Sequence, residues 1–195
     1  MTGRLESIEA VQAAVWRELE QAARSKDHAW RTSVLATADG DRADARTVIL
    51  REVDAPAQLL RLFTDARSAK AAQLQCQPGG LIVMWSAALS WQLRLRVMLT
   101  LHTDGLAVSS RWARVKLTPA AQDYLSPLAP GAALGELGAP GLANDGSAPV
   151  TPDRESRAHF AVIEAQVTTI DWLELHADGH RRAIFDAAGA RWVQP

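Results

Sequence analysis

Apolar and polar residues alternate without a break from Trp91 to His102. Trp91, Leu93, Leu95, Val97, Leu99 and Leu101 fall on one face, and Gln92, Arg94, Arg96, Met98, Thr100 and His102 on the other. A period of two this long predicts a β-strand with one face in a core, because successive side chains leave the backbone on opposite sides. The run just before it, Leu81 to Trp85, is almost wholly apolar and reads as a strand buried on both faces. Residues 5–25 follow a different rhythm. Ile8, Val11, Val15, Leu19 and Ala22 recur at helical spacing, and Ser7 with Glu9 suits a helix start.

Three strands are predicted next, over 30–37, over 43–53 beyond the Asp39-Gly40 turn signal, and over 58–64. The pattern turns helical at Thr64 to Ser68. Ser68 is the candidate N-cap of a helix over 68–75, which Pro78-Gly79-Gly80 stops. Val108 to Leu125 is helical, with a second start at Pro119. Residues 159–167 alternate again. Residues 170–175 and 181–185 predict a hairpin around Asp178-Gly179, and Trp192-Val193 is a last apolar pair. The order is helix, five strands with a short helix inserted, helices, loop, then two or three strands. It predicts a mainly β fold with flanking helices, closed as an antiparallel barrel.

Composition narrows the partners. The 195 residues fit a single domain over 1–195, and 48% are hydrophobic, enough for a substantial core. Residues 126–152 are rich in Gly, Pro and Ala and predict a flexible loop. With 21 basic and 22 acidic residues there is no basic field, so neither nucleic acid nor an anionic membrane is the expected partner. No apolar run approaches the ~18 residues of a membrane span, and the N-terminal stretch has no signal-peptide core. The one cysteine, Cys76, has no partner in the chain, which suits a cytoplasmic setting. The five histidines are scattered without Cys or acidic residues at ligand spacing, so no metal site is expected.

Three stretches carry candidate chemistry. Arg46-Thr47-Val48-Ile49-Leu50-Arg51 is a strand with a cation at each end. Thr64-Asp65-Ala66-Arg67-Ser68-Ala69-Lys70 is a strand-to-helix turn bearing hydroxyls and cations. A helix N-terminus offers free N–H groups and partial positive charge, which suits phosphate. There Lys70 adds a point charge, and Arg46 can make a bidentate contact. The third is Trp91-Gln92-Leu93-Arg94, whose polar face with Arg96 suits a flat anionic ligand. Taken alone, each also reads as an ordinary solvated stretch.

Together and in this order, the three resemble the pyridoxamine 5′-phosphate oxidase-like FMN-binding split barrels. That family's pattern is an R-x-V-x-L-K/R strand, a Y/F-T-N/D-x-x-S-x-K turn, and a strand with W and R-Q-V/L-R. Here they stand as Arg46 to Arg51, Phe63-Thr64-Asp65-Ala66-Arg67-Ser68-Ala69-Lys70, and Trp85 followed by Trp91 to Arg94. The resemblance covers about residues 10–102 and returns weakly at 159–185. It implies a split β-barrel of Greek-key type and a homodimer with FMN in a groove between the subunits. It implies that Arg46 and Lys70 hold the phosphate with Ser68 and Arg67 near by, that the Val48-Ile49-Leu50 backbone runs along the ring, that Thr64 meets the flavin or the ribityl region and that Gln92 bonds the ring's polar edge. Thr47, Arg51, Phe63 and Arg94 complete the implied cofactor set, and Arg51, Arg111 and Arg181 are the implied substrate contacts.

The departures from the pattern are as informative. The turn reads Ser68-Ala69-Lys70 where the oxidases have S-R-K, leaving Arg67 as the substitute cation. Arg51 stands for the substrate lysine, and Ser110-Arg111-Trp112 replaces S-R-P without a preceding Tyr. Arg181 matches the first arginine of the C-terminal motif, but its histidine and later arginine are absent. The resemblance therefore implies an FMN-dependent oxidoreductase of the oxidase-related branch, with a substrate other than pyridoxamine phosphate. Two alternatives stay open: a non-catalytic flavin carrier or sensor, or a split barrel holding haem or a deazaflavin, with His102 as the nearest axial ligand for haem.

Overall fold

The computed structural model describes residues 4–133, 157 and 159–195. Helix α1 (Ile8–Arg24) begins at Ser7, whose Oγ accepts the Ala10 N–H. Strands β1 (Thr32–Asp39), β2 (Arg42–Asp54) and β3 (Leu59–Asp65) follow as an antiparallel meander. Then come α2 (Ala69–Cys76), β4 (Gly79–Ser86), β5 (Trp91–His102) and α3 (Gly105–Val115), with a 3-10 turn over Pro119–Tyr124. Strands β6 (Phe160–Glu174), β7 (Arg181–Asp186) and β8 (Gly189–Val193) come last.

These strands form one sheet in the order β3-β2-β1-β4-β5-β6-β7-β8, and β3 also pairs with β6. That second pairing closes the first six strands into an antiparallel barrel, and β4 lying beside β1 makes the first four a Greek key. Closure removes sheet edges that would otherwise recruit other chains. The inner faces supply Leu35, Leu50, Leu60, Leu62, Ile82, Leu93, Leu95 and Ile163, all essentially buried. One face of α1 (Val11, Val15, Leu19) packs into the same core, each side chain contributing on the order of 1.5–3 kcal/mol. A satellite core of Val108, Trp112, Tyr124, Phe160 and Val162 lies under α3 and the 3-10 turn.

Several expectations change in detail. The stretches 159–167 and 170–175 are one strand, β6. A register shift between Arg96 and Val97 of β5 faces Thr168, where the inward residues pass from Ile163, Ala165 and Val167 to Ile170 and Trp172. A bulge inserts one residue and flips the phase of the alternation, so one strand reads as two. The N-terminal half of β6 closes the barrel against β3 and its C-terminal half carries β7. The helical stretch expected over 108–125 starts earlier, at Gly105, and breaks before Pro119 into α3 and the 3-10 turn. Of the loop expected over 126–152, residues 126–133 are coil and turn and the remainder lies outside the described residues. Among the described residues no helix is long and apolar enough to cross a membrane.

The barrel is split where β2 meets β3. β3 pairs with β6 as far as Asp65↔Phe160 but leaves β2 beyond Leu50↔Leu62. Among the described residues, the half of β2 from Arg42 to Ile49 is therefore paired on its β1 side alone. In an antiparallel strand every second residue turns its N–H and C=O to the other side, so this half offers free backbone donors and acceptors.

Candidate functional site

Arg46 lies on β2 opposite Leu35 of β1, and Asp44 lies opposite Thr37, so all four point to the same, inward side near the barrel's end. There α2 packs on β1. Arg46 Nη1 donates to Thr37 Oγ1 (2.6 Å) and to the Leu35 carbonyl (3.3 Å). Its Nη2 donates to Asp44 Oδ2 and to Gln73 Oε1, the latter at 2.9 Å. Gln73 is on α2, three residues beyond Lys70, and so shares a helix face with it.

Ser68 occupies the N-cap position of α2 but does not cap it. Its hydroxyl instead meets Thr64 Oγ1 at 3.2 Å and accepts from Lys70 Nζ at 3.3 Å. Burial pushes the Lys70 ammonium below the ordinary lysine range, and the nearby Arg46 charge pushes it the same way. Asp44 is pulled below the usual carboxylate range by the Gln73 amide and by Arg46. Two cations thus share a corner with Asp44, which pairs with Arg46, and feel the charge of Asp65, which Arg67 holds, beside two hydroxyls and the first N–H groups of a helix. That donor set is short of negative charge, and an oxyanion with several acceptor oxygens fits it. Thr64, Ser68, Lys70 and Arg46 are brought together as the sequence led us to expect.

Other expected site residues sit elsewhere. Val48 and Leu50 bury their side chains in the core, so only their backbone is available to a ligand, whereas Thr47, Ile49 and Arg51 point the other way. Arg51 lies over the Phe63 ring (5.7 Å) and near Tyr124, whose hydroxyl burial pushes above its ordinary pKa while the Arg51 charge pulls the other way. Arg67 is not free to replace a missing phosphate cation. Its guanidinium grips Asp65 (Nη2 to Oδ2, 2.7 Å) and donates to the Ser126 and Pro127 carbonyls. Burial raises the Asp65 carboxyl, but the Arg67 hydrogen bonds and charge outweigh it and hold Asp65 below its usual range.

Gln92 and Arg94 are not in this corner. They stand on the outer face of β5, three strands and ~14 Å of sheet from β2. Gln92 pairs with Trp85, and Arg94 reaches Asp171 (3.3 Å), which Arg182 also holds. Arg111 is committed to Glu52 (2.6 Å) and Arg181 to Glu174 (2.8 Å), so neither presents a free guanidinium. His102 Nε2 is held by Glu164 at 3.2 Å. Of the tryptophans, Trp30, Trp91, Trp112 and Trp172 are core, while Trp85 and Trp192 are exposed. The residues the sequence reading missed are Thr37, Asp44 and Gln73. Their only signal is spacing: Asp44 stands two before Arg46 on a strand, and Gln73 stands three after Lys70 on a helix.

Residues 13–103, from α1 through β5 and including every element of this corner, match the family model "Pyridoxamine 5′-phosphate oxidase, FMN-binding domain". Over these residues the chain is similar to the pyridoxamine 5′-phosphate oxidase-like family. A pyridoxamine 5′-phosphate oxidase-related, FMN-binding protein of Nostoc punctiforme is 26% identical, with a TM-score of 0.68 over 94% of this chain and 96% of its own. PhzG of Burkholderia lata, solved with tetrahydrophenazine-1-carboxylic acid, shares the fold at 14% identity, with a TM-score of 0.69 over 100% of this chain and 99% of its own. A general stress protein 26-related protein of Clostridium acetobutylicum also shares it, at 9% identity and a TM-score of 0.55 over 90% and 96% of the two chains. No curated protein matches the chain. These likenesses extend the split barrel of this family well beyond residue 103, to the C-terminal strands.

Proposed function

We propose that this chain binds FMN non-covalently between two copies of itself and acts as an FMN-dependent oxidoreductase. The observation that carries the reading is the Arg46–Lys70 corner, with hydroxyls and a helix start around two cations, Lys70 half-buried and hydrogen-bonded to Ser68 and Arg46 paired with Asp44. In this reading Arg46 and Lys70 hold the phosphate, with Ser68 and Thr64 adding hydroxyl donors. The unpaired side of β2 at Thr47 to Ile49 offers backbone N–H and C=O groups to the ring, and Gln92 offers its amide. When bound, the flavin supplies hydride or electron transfer, which demands no acid or base from the protein.

The relative from Nostoc punctiforme is described as FMN binding, which supports the cofactor. The outer face of β1, β4 and β5 supports the second copy. Val34, Trp85 and Met98 are each more than 40% exposed there; Trp85 lies opposite Gln92, Val34 lies beside Val83, which faces Arg94, and Met98 lies further along β5, beyond Arg96. Exposed large apolar side chains interleaved with arginines and an amide are suited to burial at a subunit interface. Arg111 and Arg181 are tied to carboxylates of their own chain, which argues against a phosphorylated substrate held as in the oxidases. A haem reading loses its ligand, since His102 Nε2 faces Glu164.

The test is an absorption spectrum of the purified protein after loading with FMN and gel filtration. Flavin bands near one per chain, at dimer-sized elution, are expected. A protein that retains no flavin, or that shows a Soret band, refutes the assignment.

A further inference from the structure

The two phosphate cations stand on different elements, Arg46 on β2 and Lys70 on α2. Their separation depends on what joins α2 to the barrel's end. Gln73 is the joint. It is one of the few buried polar side chains, and its amide is engaged on both ends. Oε1 accepts from Thr37 Oγ1 (2.7 Å) and from Arg46 Nη2 (2.9 Å), and Nε2 donates to Asp44 Oδ2 (2.9 Å). The amide orientation is dictated by its surroundings, because a flip would set N–H groups against a guanidinium and a carbonyl against a carboxylate. One side chain thus sets the rotamer of Arg46, restrains the acid that competes for it, and ties the helix carrying Lys70 to the strand carrying Arg46.

We infer that Gln73 is the positioning residue of the phosphate site, fixing Arg46 and Lys70 at the spacing that selects a phosphate-bearing ligand over its dephosphorylated form. The inference rests on the FMN reading and adds to it a residue outside the family's motif. A lost interaction of this kind is felt only by the phosphate. FMN affinity therefore falls on changing Gln73 while riboflavin, which has the same ring and ribityl chain, binds as before. Geometry sets the size, since a charge-assisted contact weakens steeply once it leaves its preferred distance and angle.

The experiment titrates FMN and riboflavin into the full-length protein by flavin fluorescence, for wild type, Gln73→Leu and Gln73→Glu. For Gln73→Leu, FMN affinity should fall at least tenfold with riboflavin affinity unchanged. Gln73→Glu places a carboxylate beside Asp44 and should weaken FMN binding at pH 8. It should recover toward wild type at pH 5, where the introduced carboxyl, once protonated, can again donate to Asp44 and accept from Arg46. Wild type measured at each pH removes the phosphate's own titration from the comparison. If wild type binds FMN and Gln73→Leu matches it, or loses FMN and riboflavin alike, the positioning role is overturned and the FMN reading stands. A Gln73→Glu protein with no pH-dependent recovery also overturns it, and this arm remains informative if Gln73→Leu fails to fold. If wild type binds neither flavin, both readings fall.

Discussion

Replacing Lys70 with methionine should make the ligand-free protein more stable and the flavin complex weaker. The Lys70 ammonium is pushed below its ordinary range by burial and by Arg46, so the fold holds its charged form reluctantly. The unfolded chain then binds that proton more tightly than the native one. Stability rises with pH between the lowered native pKa and the unfolded value near ~10.4, and the whole cost is present at pH 7. Methionine keeps the length and apolar stem, removes the charge, and leaves behind only the 3.3 Å contact to Ser68 Oγ. The ligand-free variant should gain about 0.5–1 kcal/mol at pH 7, the usual size of a relieved functional strain. Its alkaline rise in stability should flatten. FMN binding should lose one charge-assisted phosphate contact, about 1.5–3 kcal/mol or roughly 10- to 150-fold. Urea unfolding of the ligand-free protein at pH 7 and pH 10, with FMN titration by fluorescence, measures both sides. A Lys70→Met protein that is less stable than wild type, or that binds FMN equally well, would refute the placement of Lys70 in a phosphate site.

Asp44→Asn keeps an acceptor for Gln73 but removes the charge that competes for Arg46. FMN should bind tighter at low salt, read by the same titration, and weaker binding would show that Asp44 helps rather than competes. Glu174 accepts from Arg4 (2.7 Å) and Arg181 (2.8 Å). Burial raises its carboxyl and the two arginines more than offset this, so its pKa lies below the usual range. It contributes stability that is present above the ordinary glutamate pKa and lost as pH falls through the lowered one. Glu174→Gln should cost about 3 kcal/mol at pH 7 and leave a shallower acid limb in pH-dependent unfolding. The double substitution Val34→Glu, Trp85→Glu puts charge on the exposed outer face. Gel filtration should show a monomer that has lost flavin, with ligand-free stability changed by no more than ~1–2 kcal/mol; a flavin-bound dimer would clear this face of an interface role.

The elements were legible in the chain because their cause is local. The alternation of Trp91 to His102 and the 3.6-residue spacing of Ile8 to Ala22 follow from backbone geometry, and both form as expected. Order and chirality then leave few ways to close five strands, a break and three more, so the barrel followed too. Where the period itself was interrupted, at the Thr168 bulge, local reading saw two strands for one. The cation corner was half legible. Arg46, Ser68 and Lys70 stand in recognisable stretches, but what a cation does depends on what faces it across the fold. Arg67 belongs to Asp65, Arg111 to Glu52 and Arg181 to Glu174, partners 2 to 59 positions away. Gln73 shows in the chain only its spacing of three from Lys70. Its role exists only because packing α2 on β1 brings one amide within 3 Å of Thr37, Asp44 and Arg46. Local periodicity determined the strands and helices, and tertiary contact alone decided which charges remained available for a ligand.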